Sequence, residues 1–234
     1  MSQHPLYIPA PYQDAVDHGR IILRDGTTAL IRLAGLQDAP VLQAFFARLS
    51  PESRRHRFLS LAQPPTPLVQ SFCDSSRPEQ LLTLLVTRRI GDHEAIVGAG
   101  SYIARNSQSA EVAFAVEDSL QGRGIGTQLL ERLALLAIRH GFTRFWAVTE
   151  ADNRGMIEVF RQSGFPLKEA SEGGQVEVDF AVAPTESSVQ ISEMRDRIFT
   201  TASLRPFFNP NGVAVVGASR DPRRSSRCGD RGCG

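Results

Sequence analysis

The stretch "VEDSLQGRGIGTQLLERLALL", residues 116–136, decides the fold, because three glycines within five positions lead directly into a leucine-rich helix. Glycine loses more backbone freedom on folding than any other residue, so such a cluster indicates a place that requires bare backbone. A glycine-rich turn before a helix exposes backbone N–H groups at the positive end of the helix dipole, where phosphate oxygens bind. The stretch therefore predicts a site for a phosphate or pyrophosphate group.

Two common nucleotide-binding motifs do not account for this turn. The nucleoside-triphosphate loop ends in Gly-Lys followed by Ser or Thr, and no Lys follows here. The dinucleotide motif G-x-G-x-x-G also fails, because Gly122, Gly124 and Gly126 run as G-x-G-x-G. Arg123 can add a charge-assisted contact to an anion, and Thr127 can add a hydroxyl group. The alternative to an anion site is an ordinary tight turn.

The rest of the chain predicts a mixed α/β (α+β) sheet with helices on its faces. Runs in which apolar residues alternate with other residues flank Asp25-Gly26 and predict a hairpin. Asp38 is predicted to cap the helix that follows it. Three further strands precede the glycines, and the glycine helix is followed by strand, helix and strand. The helix in this last part is predicted to be capped by Asn153 or Asp152 and to end at Gly164.

This context resembles the GNAT superfamily of N-acetyltransferases. Its signature Q/R-x-x-G-x-G/A is matched by Gln121, Gly124 and Gly126, with a strand before it and a long helix after it. An Asn follows about 27 residues later, here Asn153, and the next helix ends in Gly164-Phe165. The resemblance covers residues 20–183 and implies the acyl-CoA N-acyltransferase fold, with acetyl-CoA as co-substrate.

The resemblance also implies where the co-substrate lies. The strand end at Phe114–Val116 should separate from its neighbour at a bulge and pair with the pantetheine arm, while Gln121–Thr127 hold the pyrophosphate. Asn153 should contact the cofactor or the turn beneath it. Core packing is the alternative role for Phe114 and Val116, and helix capping is the alternative for Asn153. The implied cofactor-binding residues are Phe114, Ala115, Val116, Gln121, Gly122, Arg123, Gly124, Ile125, Gly126, Thr127 and Asn153.

Acetyl transfer to an amine needs a base and a stabilised oxyanion. Alternation places Glu111 on one strand face among small residues, where its carboxylate can act directly or through a water. The alternative for Glu111 is a solvated strand-end carboxylate. The N–H of Val116 is a candidate oxyanion donor. Many GNAT enzymes use a Tyr as the acid for the thiolate, but the matching residue here is Phe160, which cannot donate a proton.

Three more polar residues lie near this candidate site. Glu117 and Asp118 are interpreted as polar strand-end groups. His56 belongs to the basic segment "SRRHRF", which either lines the acceptor site or forms a solvated helix face.

Two stretches indicate which class of acceptor molecule to expect. Residues 45–58, "FFARLSPESRRHRF", resemble a segment of bacterial protein lysine acetyltransferases. Residues 204–222 are similar to the start of the coenzyme A-binding domain in NDP-forming acyl-CoA synthetases. The resemblance implies a protein substrate with an acceptor lysine, with acyl-CoA synthetases among the candidate targets. Two alternatives stay open, which are a small-molecule amine acetyltransferase and an acyl-CoA sensor without turnover.

The predicted organisation has four parts. Residues 1–19 form a lead-in, 20–183 the GNAT domain, 184–203 a polar linker with room for a short helix, and 204–234 a truncated synthetase-like domain. Its Arg-rich tail after Asp221-Pro222 is interpreted as truncated or out of frame, with a natural disordered terminus as the alternative. In either case residues 212–218 are expected to be one strand without a sheet, so Gly217 is not expected to form a working coenzyme site.

Composition excludes several classes of protein. A formal net charge of +1 gives no electrostatic footprint for nucleic acid or an anionic membrane. The N-terminus lacks the pattern of a signal peptide, and no apolar run is long enough to span a membrane. The three cysteines lack zinc-ligand spacing, so free thiols, no metal and a cytoplasmic location are expected.

Overall fold

A computed structural model describes residues 17–91 and 93–208, with side chains through Leu204. The predictions for residues 1–16 and for the C-terminal residues 209–234, including Gly217, Cys228 and Cys233, lie outside the described residues. The strands are β1 (His18–Ile22), β2 (Thr28–Leu33), β3 (Leu81–Ile90), β4 (His93–Ala104), β5 (Ser109–Val116), β6 (Arg144–Glu150), β7 (Leu167–Glu172) and β8 (Gln175–Ala181). The helices are α1 (Ala39–Arg48), α2 (Pro51–Phe58), α3 (Thr66–Phe72), α4 (Ile125–Arg139), α5 (Arg154–Arg161) and α6 (Glu186–Phe208).

The strands form one eight-stranded mixed sheet in the order β1-β2-β3-β4-β5-β6-β8-β7. All neighbouring strands are antiparallel except β5 and β6, which are parallel. A parallel pair needs a crossover connection, and here α4 supplies it immediately after the glycine turn. The predicted mixed sheet with helices on its faces is therefore confirmed.

Side chains point alternately to the two faces of the sheet, and both faces are apolar. One face packs against α4, with Leu129, Leu130 and Leu133 fully buried over the sheet. The other packs against α1 and α3, where Phe45 and Phe46 are buried. Residues of β5 divide between the faces, since Phe114 belongs to the first cluster and its neighbour Ala115 to the second. Successive β5 side chains thus point to opposite layers, as the pleat requires.

A cluster of aromatic rings joins α5 to the sheet. Phe180 on β8 is 1% exposed, and its ring centroid lies 5.4–6.0 Å from those of Phe145, Phe160 and Phe165. Edge-to-face and offset ring pairs at these separations add to the free energy gained by burial. The cluster fixes α5 against the strands beside the glycine turn.

The C-terminal part of the described chain differs from the expected linker. Residues 186–208 form one helix of 23 residues, α6, so the boundary placed at 204 falls inside a helix. Weak amphipathic patterning in this segment gave little sequence signal, because its packing is against distant parts of the chain. In the described ranges, 17–91 and 93–208, no helix is both long and apolar enough to cross a membrane. The division into domains stays a prediction.

Two local details also differ from the sequence analysis. Strand β7 was not predicted. This edge strand is exposed along most of its length, so its sequence lacks the alternation of buried and exposed residues that predicts a strand. Asp38 precedes α1, but its carboxylate accepts hydrogen bonds from the Arg32 guanidinium at 2.7 and 2.8 Å and from the Gly35 N–H. It makes no side-chain cap to α1, because the ion pair with Arg32 holds it elsewhere.

Replacement of Phe180 by Ala should lower the free energy of unfolding by about 3–5 kcal/mol, because it leaves a cavity among three rings. Urea denaturation followed by circular dichroism measures the change. Leu30→Ala is the control, since Leu30 is 46% exposed on β2 and should change stability by about 0.5 kcal/mol or less. A loss of similar size in both variants would contradict the assignment of the core.

Candidate functional site

The two parallel strands separate near the middle of the sheet. Strands β5 and β6 pair only from Ser109–Glu111 to Arg144–Trp146, although β5 continues to Val116. The separation occurs without a bulge, because β5 keeps an unbroken register with β4 from Ala110 to Val116. The expected separation is therefore present, and the expected bulge is not found in the β4–β5 ladder. Divergence from β6 alone opens the gap.

The backbone N–H groups at the end of β5 face this gap. The Glu117 N–H donates to Val97 O on β4 at 2.9 Å. Because N–H groups alternate from side to side along a strand, those of Val116 and Phe114 point toward the gap. A ligand lying there meets the edge of β5 as an added strand would.

A cavity of about 730 Å³ extends from the gap to the glycine turn. Its walls are the end of β5, the turn, α5 and α6. Two of the predicted site residues, Glu111 and Arg123, are not among its lining residues. The predicted residues that line it are Phe114, Ala115, Val116, Gln121, Gly122, Gly124, Ile125, Gly126, Thr127 and Asn153.

Two glycines of the turn have a backbone conformation that side chains rarely adopt. Gly122 has φ +72° and Gly124 has φ +87°, in the left-handed region that favours glycine. Gly124 is also the N-cap of α4, so the N–H groups of the first turn of α4 lie next to the cavity. Since α4 has 15 residues, its dipole adds a positive potential at this end. The turn can hold an anionic group through its backbone.

The side chain of Arg123 does not take part in this arrangement. Its guanidinium donates to the carboxylate of Asp25 in the β1–β2 turn. The Arg24 N–H donates to Arg123 O at 3.0 Å, which adds a second link between the two turns. Arg123 therefore fixes the position of the glycine turn, and Arg24, which lines the cavity, is a cation beside that turn.

The N-terminus of α2 is bound to the segment that follows β5. The Asp118 carboxylate accepts from the Ser50 N–H at 3.0 Å and from the Ser50 and Ser53 hydroxyls at 2.7 Å. The Gln121 amide donates to Ser53 Oγ at 2.9 Å and to Val116 O at 3.2 Å. Burial opposes ionisation of Asp118, but these hydrogen bonds outweigh it and hold its pKa below the ordinary value. The serines of "LSPES" thus position α2 over the gap.

Asn153 has a structural role that the sequence analysis left open. Its Oδ1 accepts from the Met156 N–H at 3.2 Å, which caps α5, and its Nδ2 donates to Thr149 Oγ1 at 2.8 Å. Asn153 lines the cavity as well, so it holds the end of β6 and the start of α5 at the cavity wall.

Phe160 lies in the protein core. It is 1% exposed, its ring centroid is 6.3 Å from that of Phe114, and it does not line the cavity. An apolar ring in this place packs against the sheet and has no proton to donate.

Glu111 lies at the apex of the gap, since Glu111 and Trp146 are the last paired residues of β5 and β6. Its exposed side chain shares a sheet face with Ala115, the face covered by the helices that precede β3. Burial lowers the pKa of the Arg57 guanidinium on α2 to about 10, and the charge of Glu111 opposes that shift. Arg57 is therefore the nearby cation for Glu111.

A second polar cluster joins α2 to the end of β6. Arg55 donates to Glu150 at 2.6 Å and to Asp152 at 2.8 Å, and His56 Nε2 lies 3.1 Å from the same Asp152 carboxylate. The hydrogen bond to Arg55 holds the pKa of Asp152 below its ordinary value, although burial opposes this. His56, Glu150 and Asp152 have the ligand types for a metal ion, but a guanidinium bound to both carboxylates repels a cation. The cluster instead positions α2 and places His56 at the cavity.

The wall of the cavity that α6 forms was not predicted from the sequence. Helix α6 contributes six lining residues, and α5 contributes several more beyond Asn153. A segment interpreted as a linker gives no local signal that it will cover a cavity formed by the glycine turn and α5, which precede it in the chain. The missed residues on α6 are Gln190, Ile191, Met194, Arg195, Ile198 and Phe199.

Replacement of Gly124 by Ala should lower the free energy of unfolding more than replacement of Gly122. Both positions have positive φ, which costs a side chain about 1–2 kcal/mol. A Cβ on Gly124 would also lie 2.9 Å from the Phe199 ring, whereas a Cβ on Gly122 meets nothing within 4 Å. Chemical denaturation of the two variants measures the difference. Equal losses would show that Phe199 does not pack on Gly124.

Replacement of Asp118 by Asn should lower the free energy of unfolding at pH 7 by about 1 kcal/mol, since this site is exposed and screened by solvent. A depressed folded-state pKa stabilises the fold above the ordinary carboxyl value of 3.8, and that stability is lost as the pH falls further. The difference between parent and variant should therefore shrink below about pH 4. Urea unfolding at pH 7 and pH 3 tests this, and a constant difference would contradict it.

Comparison with known proteins agrees with this geometry. The model of the acetyltransferase (GNAT) family matches residues 46–165, just over half of the chain. Acetyltransferase PA5475 of Pseudomonas aeruginosa is 30% identical over 151 residues, which cover 64% of this chain and 81% of that protein.

Solved structures show the same similarity. The GNAT domain of S. lividans PAT superposes with a TM-score of 0.63 at 30% identity, over 75% of this chain and 99% of that one. The structure of yncA from Salmonella typhimurium with its cofactor acetyl-CoA has a TM-score of 0.53 at 18% identity. It covers 68% of this chain and 96% of its own, and at that identity it shows the fold alone. With a matched family model, a 30% identical relative and a shared fold, the chain belongs to the GNAT family of acetyltransferases.

Proposed function

We propose that the chain transfers an acetyl group from acetyl-CoA to the side-chain amine of protein lysines, with acyl-CoA synthetases among its candidate targets. The observation that carries this proposal is the gap that opens directly after Glu111. The gap leads toward the glycine turn on one side and toward the α2 face on the other. A thioester in the gap would meet an amine that approaches from the α2 face.

The donor side of the site suits acetyl-CoA. The N–H groups of Phe114 and Val116 point into the gap, where the amide groups of a pantetheine arm can pair with them. The glycine turn from Gln121 to Thr127 presents backbone N–H groups to a pyrophosphate. The structure of yncA, which has the same fold, holds acetyl-CoA as its cofactor.

The acceptor must lose a proton before it reacts, because a lysine amine has a pKa of roughly 10.4. Glu111 takes this proton, directly or through a water. The free amine then attacks the thioester carbon and forms the new C–N bond, and the attached nitrogen releases its second proton to solvent. The Val116 N–H stabilises the oxyanion, and the C–S bond breaks with its electron pair on sulfur. Phe160 has no proton to give, so the thiolate takes one from solvent.

Two features support a protein lysine as the acceptor. Residues 45–58 resemble a segment of bacterial protein lysine acetyltransferases, and in the structure Ser50 and Ser53 of that segment position α2 over the gap. The chain also matches almost the full length of the S. lividans PAT GNAT domain at 30% identity. A small-molecule amine is the second candidate, since the fold itself does not determine the acceptor.

Replacement of Glu111 by Gln should lower kcat for acetyl transfer by about 10²–10⁴-fold, because Gln cannot accept the proton. The assay follows labelled acetyl-CoA with two acceptor pools, lysate protein and a mixture of small amines. Glu177→Gln is the matched control, because Glu177 is also an exposed strand carboxylate but lies on β8. It should retain parental activity.

The outcomes separate the candidate functions. Label on protein lysines that is lost with Glu111→Gln supports both the acceptor and the base. Label confined to small amines moves the enzyme to the second candidate. Tight acetyl-CoA binding without transfer to either pool indicates a sensor. Full activity of Glu111→Gln would remove Glu111 from the mechanism.

A further inference from the structure

Helix α6 lies across the cavity that holds the glycine turn. Its lining residues, separated by one, three, one, three and one positions, fall on one face of the helix. All of them lie outside residues 46–165, the part of the chain that matches the family model. They are Gln190, Ile191, Met194, Arg195, Ile198 and Phe199.

Close backbone contacts hold α6 in this position. Phe199 is 6% exposed and packs directly on Gly124 of the glycine turn. A Cβ on Gly26 would lie 2.7 Å from the Ala202 backbone, so that glycine permits the β1–β2 turn to approach the helix. Arg195 donates to the Glu131 carboxylate on α4 at 2.6 Å. The helix is thus attached to the turn, the hairpin and α4 together.

The apolar side chains that α6 turns toward the cavity remain partly exposed. Ile191, Met194 and Ile198 are 39%, 60% and 52% exposed, although all three line the cavity. Val159 on α5 lines the same cavity. A flat apolar group between α5 and α6 would remove these side chains from water, and that burial would favour its binding.

The order of groups in coenzyme A identifies the part that lies here. In the proposed function the pantetheine arm follows β5 and the pyrophosphate binds the glycine turn, so the remaining part is adenosine 3′-phosphate. This part combines a flat ring with an anion. Arg24 is an exposed cation that lines the cavity and lies next to Arg123 of the turn. The apolar stripe and the cation together match an adenosine 3′-phosphate.

We propose that α6 and Arg24 form the adenosine 3′-phosphate subsite of acetyl-CoA, with Met194 and Ile198 against the adenine ring. The proposal rests on the placement of the pyrophosphate at the glycine turn. It makes the C-terminal helix part of the coenzyme site, and it assigns the stripe on α6 to coenzyme affinity rather than to the acceptor.

The test compares three probes on the full chain with Met194 and Ile198 both replaced by Ser. Calorimetric titration should show the Kd for coenzyme A and for adenosine 3′,5′-bisphosphate raised by roughly tenfold or more. Arg24→Ala should raise the same two Kd values. Turnover of acetyl-pantetheine, which lacks the adenosine half, should equal that of the parent.

Leu204→Ser is the control, because Leu204 is also an exposed apolar residue of α6 but does not line the cavity. It should bind all probes as the parent does. Unchanged coenzyme A binding by the double variant would overturn the subsite and leave the rest of the site intact. Tighter binding would overturn it too, because α6 would then compete with the coenzyme. Failure of the parent to bind coenzyme A would overturn the whole site.

Discussion

The separation of β5 from β6 after Glu111 is the constraint on which the rest of this structure depends. A parallel pair that stayed closed would satisfy the backbone groups of Phe114 and Val116 within the sheet and leave no edge for a ligand. Because the strands diverge, the same backbone becomes a binding surface in the middle of a large sheet. The unbroken ladder between β4 and β5 keeps that surface rigid.

The gap also has two sides, one toward the glycine turn and one toward α2. The glycine turn and the N-terminus of α4 lie where an anion is stabilised by backbone N–H groups. Glu111 lies at the apex, on the sheet face that the helices before β3 cover. The contacts of Asp118 and Gln121 with Ser50 and Ser53 link the two sides, since they tie α2 to the segment that begins the glycine turn. One small network therefore holds α2 against the segment that leads into the glycine turn.

Several charged residues prove to be positioning groups. Arg123 binds Asp25 and holds two turns together, and Arg55 binds Glu150 and Asp152 across α2 and β6. Asp152 keeps a depressed pKa in this pair. Sequence alone cannot separate such residues from ligand-binding ones, because both are polar residues near a motif. Positioning residues and ligand-binding residues are distinguished only by the group to which each guanidinium is hydrogen-bonded.

The sequence by itself determined the local requirements of the chain. The need for bare backbone at Gly122 and Gly124, a cap at Asn153 or Asp152 and the alternation of β5 are properties of short segments, and residue type and spacing predicted each of them. The structure assigns the cap to Asn153. The tertiary structure alone decided that the strands separate without a bulge in the β4–β5 ladder and that Phe160 joins the core. It also decided that α6 packs over the cavity beside the glycine turn. These features depend on contacts between segments far apart in the chain, which no local pattern encodes.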